Sequence, residues 1–169
     1  MTETVKPITV LGVDPGTETG LVVMEYGAKQ RDWKVLYSKT VWQCKVEKLF
    51  DVLIEIHNDY KNDAVGIEGQ FQHDNPKYAG AAIMPSRYAG MVEMFAYVIF
   101  CPDRITYFLP GAWRSKVLGI RANTAREIAE KESKKYAESF GVKGSIHVKE
   151  AFCIAIAAGM EYFKTNTTA

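Results

Sequence analysis

The sequence predicts an α/β fold: a five-stranded mixed sheet, three antiparallel strands followed by two parallel ones in the order 3-2-1-4-5, flanked by helices. Three observations lead there. Three runs rich in β-branched and apolar residues follow one another within the first 42 residues, separated only by turn-length segments. Strands joined so closely pair antiparallel. Two further runs, 64–68 and 105–108, are each reached through a helix-length apolar segment, and right-handed crossovers then set the fourth strand parallel to the first and beside it. At 169 residues the chain makes one domain, 1–169. A domain of that size buries about 70% of its unfolded surface and needs neither disulfides nor a structural metal.

Each element has its local reason. Residues 8–14 (ITVLGVD) form a buried strand, PGTETG turns, and 21–26 form a second strand. Residues 33–42 (WKVLYSKTVW) alternate as a third strand near an edge. Val46, Leu49, Phe50, Leu53, Ile54 and Ile56 then follow helical spacing. After the short strand 64–68, residues 78–100 read as helix with an interruption expected at Pro85, and Pro110 with Gly111 stops the strand 105–108. Thr124 and Glu127 have capping-box spacing before a helix that ends near Phe140, with Gly141 as its stop. Ser145 suits the N-cap of a last helix over roughly 147–163.

Composition excludes several classes of function. With 47% hydrophobic and 24% charged residues the chain is not disordered. Its start lacks a basic cluster followed by an apolar run, so no secretory signal is expected. The longest apolar run, 151–160, has ten residues, half of a membrane span. Cys44, Cys101 and Cys153 are far apart and odd in number, which excludes a zinc ribbon and suits a reducing, cytoplasmic compartment. Net charge is only +1, but residues 111–149 carry nine basic and four acidic side chains. That local excess is compatible with phosphate binding, and equally with a solvated helix face of spaced Glu and Lys.

Asp14 and Glu68 each end an apolar strand. If the strands are parallel neighbours, both carboxylates leave the same C-terminal sheet edge, where open α/β sheets bind ligands. Such a pair repels itself, and a hard divalent cation, Mg2+ or Mn2+, removes the repulsion. Taken alone, Asp14 serves equally well as a cap on the Pro15–Gly16 turn. His147 and Glu150 lie three apart on one face at the start of the last helix. A helix N-terminus disfavours imidazolium, so a lowered pKa and a neutral, ligating His147 are expected. Asp14 with Gly16, Thr17 and Gly20 also resembles the first phosphate loop of actin-like and sugar kinases, but that fold needs a second lobe for which 169 residues leave no room.

GVDPGTETG, AVGIEGQF, SRYAGMVEM, PGAWRSKVLGIRANTAREIAE and HVKEAFCIAIAA occur in this order along nearly the whole chain. The ordered set resembles the RuvC family of Holliday-junction endonucleases, with an RNase H-like fold. The resemblance implies four metal-binding positions, falling here on Asp14, Glu68, His147 and Glu150, where the commonest pattern has Asp at both of the last two. It implies two Mg2+ or Mn2+ ions per site, bridged by Asp14, and two-metal hydrolysis of a phosphodiester. It implies an aromatic at Phe71 that stacks on a base at the branch point. Phosphate contacts are expected from Lys77, Arg87, Arg114, Lys116, Arg121 and Arg126, while Trp113 is either core or a contact to a sugar. Branched DNA, four-way junctions above all, is the expected substrate, and a homodimer the expected assembly, with the surplus apolar face of the helix over 88–100 as its interface or else buried in the chain. Branch-migration or packaging machinery are further expected partners, and no membrane is. The short loops and altered third and fourth positions suit a phage-encoded member, acting in a bacterial or phage-infected cytoplasm. Structured RNA as substrate, or branched-DNA binding without catalysis, remain as alternatives.

Overall fold

The computed structural model describes residues 6–27, 33–42, 46–69 and 76–166, with side chains placed except at Val46 and 76–87. Strands β1 (Ile8–Asp14), β2 (Glu18–Tyr26), β3 (Trp33–Trp42), β4 (Ala64–Glu68) and β5 (Ile105–Phe108) form one sheet in the order β3-β2-β1-β4-β5. β1 pairs antiparallel with β2 and parallel with β4, and β4 pairs parallel with β5. The expected mixed sheet and its order are both present. β2 begins at Glu18 and not at 21, because residues 18–20 already pair with 40–42 of β3.

Strand alternation divides the core into two layers. Leu11, Val13, Leu21, Val23, Val65 and Ile67 face α1 (Val46–Tyr60) and α2 (Pro76–Ile99). The alternate residues, Val10, Val22, Met24 and Ala64, face α3 (Pro110–Leu118), α4 (Arg126–Ser139) and α5 (Ile146–Asn166). By the same period of two, Asp14 and Glu68 belong to the α5 side. Residues 148–159 of α5 are all buried, so this helix is the centre of its layer. It lies close on the sheet because β1 and β2 offer it glycine: a Cβ on Gly12 would strike the backbone of Ala151, and one on Gly20 the backbone of His147.

Four expectations need correction or extension. Pro110 does end the approach from β5, but it also starts α3, at the position where a missing N–H costs nothing. α2 runs unbroken through Pro85, although an interior proline forfeits one backbone hydrogen bond and crowds the carbonyl one turn earlier. The capping box at Thr124 does not form: its hydroxyl donates to the Arg121 carbonyl at 2.6 Å, and α4 starts one residue later with Ala125 as N-cap. Over residues 88–99, α2 is not buried on both sides: Val92, Phe95 and Ala96 are buried against the sheet layer, while Met94, Tyr97 and Val98 are exposed. Gly141 does stop α4, in a left-handed conformation with φ 75° and with the Val142 N–H bonded to the Ala137 carbonyl at 3.1 Å. No helix among the described residues is long and apolar enough to cross a membrane.

Candidate metal centre

Four elements bring their ends together at the C-terminal edge of the sheet. β1 delivers Asp14, held in place by a tight hairpin in which the Thr19 hydroxyl donates to the Gly16 carbonyl at 3.0 Å. β4 runs parallel in register, Val13 opposite Ile67, so the next step sets Glu68 beside Asp14. The first turn of α5 contributes His147 and Glu150. Its start is fixed by Ser145, whose hydroxyl shares a 2.8 Å hydrogen bond with Thr40 on β3 and whose carbonyl accepts the Lys149 N–H. α3 adds Trp113 and Arg114.

Asp14, His147 and Glu150 each offer a ligand atom within 4.8 Å of the others. His147 Nδ1 lies 2.7 Å from Asp14 Oδ2, and its Nε2 lies 4.0 Å from Glu18 Oε2. The Arg114 guanidinium donates to Glu150 Oε1 at 3.0 Å, and the Trp113 indole N–H donates to Glu68 Oε2 at 2.5 Å. Asp14, Glu68 and Glu150 are only 4–6% exposed, so three carboxylates share one dry corner.

That crowding shows in their proton affinities. Burial, reinforced by the Asp14 charge, pushes Glu68 up to about 8 and Glu150 up to about 7. Asp14 is raised too, its burial outweighing the partnership with His147. His147 is raised, chiefly by its hydrogen bond to Asp14. In the absence of a metal, the lowered pKa expected at a helix N-terminus is therefore overturned. A carboxylate in contact at full charge outweighs the partial charge of a helix end. A site that gathers buried anions and can hold them only by taking up protons suits a divalent cation, and oxygen donors with one imidazole fit Mg2+ or Mn2+.

The other expected residues are placed as follows. Arg114 is 13% exposed in its side chain and spent on Glu150, and Lys116 pairs with Glu161. Arg121 is exposed, and Arg126 pairs with Glu130 at 2.6 Å; its pKa is raised chiefly by that hydrogen bond, with smaller contributions from Glu150 and Asp14. Lys77 and Arg87 lie on α2 with side chains outside the described set, and Phe71 lies outside the described residues. Trp113 is core, with no exposed surface. Its bond to Glu68, the Arg114–Glu150 pair and the approach of Glu18 to His147 were not anticipated. The adjacent Trp-Arg in PGAWRS was the one available signal for the first two.

In sequence, the chain matches no family model and no curated protein. In structure it is similar to T. thermophilus RuvC in complex with Holliday junction substrate, with a TM-score of 0.69 and 20% identity over 95% of this chain and 97% of that one. It is similar to the fowlpox virus resolvase in complex with substrate Holliday junction DNA, with a TM-score of 0.58 and 10% identity over 92% and 99%. The yeast mitochondrial Holliday junction resolvase Ydc2 is also similar, with a TM-score of 0.54 and 13% identity over 98% and 86%. Across nearly its full length, the chain has the RNase H-like fold of the RuvC-type Holliday junction resolvases.

Proposed function

We propose that the chain is a single-domain, divalent-cation-dependent endonuclease that cuts branched DNA, four-way junctions above all, in paired strands. One observation carries this reading: Asp14, His147 and Glu150 cluster within 4.8 Å at one sheet edge, with the buried Glu68 beside them at the end of the neighbouring strand, in a fold shared with junction resolvases. Asp14, Glu68, His147 and Glu150 would hold the cations. Bound there, two Mg2+ or Mn2+ ions would supply a hydroxide nucleophile near neutral pH and stabilise the leaving oxygen. Arg114 holds Glu150 at 3.0 Å and keeps part of the site's negative charge balanced. Arg121, exposed in the loop between α3 and α4, and Arg126, exposed at the start of α4, suit phosphates arriving at the rim. The exposed apolar side of α2, with Met94, Tyr97 and Val98, suits a two-fold dimer, whose paired sites match the symmetry of a four-way junction.

A panel of four-way, Y-shaped and linear duplex DNA with structured RNA, each in Mg2+, Mn2+ or EDTA, tests the reading. Cleavage confined to branched DNA and lost in EDTA is expected. Cleavage of RNA alone, or tight junction binding with no cleavage in either ion, would replace it with one of the two alternative readings.

His147 offers a narrower test. His147→Ala should lose most cleavage by loosening one cation, at least the roughly 10–100-fold typical of groups that only support a ligand, with Mn2+ recovering part of it. His147→Asp restores a hard anionic ligand and should keep activity with less preference for Mn2+. An alanine variant with wild-type rate and metal dependence would remove His147 from the site.

A further inference from the structure

Helix α3 touches two of the site's acids with consecutive residues. Trp113 donates its indole N–H to Glu68 Oε2 at 2.5 Å, and Arg114 donates to Glu150 Oε1 at 3.0 Å with its Cζ 5.0 Å from the Trp113 ring centroid. The indole is itself immobilised. It has no exposed surface and belongs to the core layer of Phe108, Phe152 and Ala155. The start of α3 is set against the following loop, where a Cβ on Gly111 would come within 2.7 Å of the Ala122 carbonyl oxygen. A donor fixed in position and direction thus meets a carboxylate that has three side-chain torsions of its own.

We propose that Trp113 is a positioning residue for Glu68: its N–H occupies one carboxylate oxygen and leaves the other as a single, oriented ligand for a divalent cation. The inference rests on the reading of Glu68 as a cation ligand. Indole is a donor only, so it cannot compete with Glu68 for the cation. A phenylalanine would fill much of the same core but leave Oε2 buried without a partner. Groups that hydrogen-bond a metal-ligating side chain from behind typically contribute about 10–100-fold to metal affinity or activity.

Two variants separate orientation from packing. Trp113→Phe removes the N–H with some loss of volume. Incorporation of β-(3-benzothienyl)alanine at 113 keeps the bicyclic shape and puts sulfur where the N–H was. Mg2+ affinity is measured by calorimetric titration, and the Trp113 indole N–H resonance, identified as the one absent from Trp113→Phe, is followed by NMR during Mg2+ addition to the wild type. We expect that resonance to move with Mg2+ saturation and both variants to bind Mg2+ about 10–100-fold more weakly. On a four-way junction, kcat should fall at fixed Mg2+ while KM stays unchanged. Wild-type Mg2+ affinity in the benzothienyl protein would overturn the proposal, since only the donor is missing there. Glu68→Gln, titrated alongside, distinguishes the two failures. If it also binds Mg2+ like wild type, Glu68 is no ligand and both readings fall; if it binds weakly while the benzothienyl protein does not, only the role of Trp113 falls.

Discussion

Asp14→Asn is expected to abolish cleavage of a four-way junction and to leave junction binding intact. Asp14 is the hub of the site: it touches His147 at 2.7 Å, shares a ligand cluster with Glu150 and raises the proton affinity of Glu68. Asparagine keeps the size and one oxygen but removes the charge that would hold a cation. The expected loss is on the order of a thousandfold, equivalent to about 4 kcal/mol of transition-state stabilisation. Binding should be equal or tighter, because one negative charge near the incoming phosphates is gone. The variant should melt no lower than the wild type. Normal turnover would remove Asp14 from the chemistry.

Glu68→Gln should raise the melting temperature of the metal-free protein at pH 8. The Glu68 carboxyl sits at about 8 in the folded protein against an ordinary 4.5. A group raised in this way binds its proton more tightly when folded, so its contribution to stability is full below pH 4.5 and is lost as pH rises towards 8. Each tenfold in proton affinity corresponds to about 1.4 kcal/mol, so the ionised Glu68 opposes folding by on the order of 5 kcal/mol above pH 8. Glutamine removes that opposition, and its amide oxygen still accepts from the Trp113 indole. At roughly 2–4 °C per kcal/mol for a chain of this size, and allowing that glutamine is itself buried, a gain of about 4–10 °C is expected. Asp14, Glu150 and His147 are raised as well and act in the same direction. The metal-free wild type should therefore lose stability from about pH 5 to pH 8, and Mg2+ should restore most at the high end, where the ligands are deprotonated. Melting curves from pH 5 to 8.5, with and without Mg2+, check both statements. A wild-type protein that gains stability across that range without metal contradicts them.

The sheet, and the convergence of Asp14, Glu68, His147 and Glu150 at one of its edges, were legible because each depends on local pattern. An apolar strand that ends in a carboxylate, twice, becomes a paired site once the crossover rule sets the two strands side by side. His147 and Glu150 were legible from their spacing at the first turn of an unusually apolar helix. α3 was not. Only Trp113 in it is buried, so it leaves no helical periodicity to read, and Pro110 with Gly111 suggests a stop. Arg114 and Lys116 stood out as positive charge, and charge says nothing of burial: the structure sets both against acids from α5. The raised proton affinity of metal-free His147 was not legible, because the deciding partner, Asp14, is 133 residues away and enters only through tertiary contact.

The central claim is that this buried cluster cuts branched DNA symmetrically, and mapping the cut sites on an immobile four-way junction tests it most directly. Each strand is end-labelled in turn and incubated with wild type or Asp14→Asn in Mg2+. The account predicts paired nicks at symmetric positions in two opposite strands by the wild type, and intact strands bound by the variant. Linear duplex cut as readily as the junction, or nicks that persist in Asp14→Asn, would contradict it.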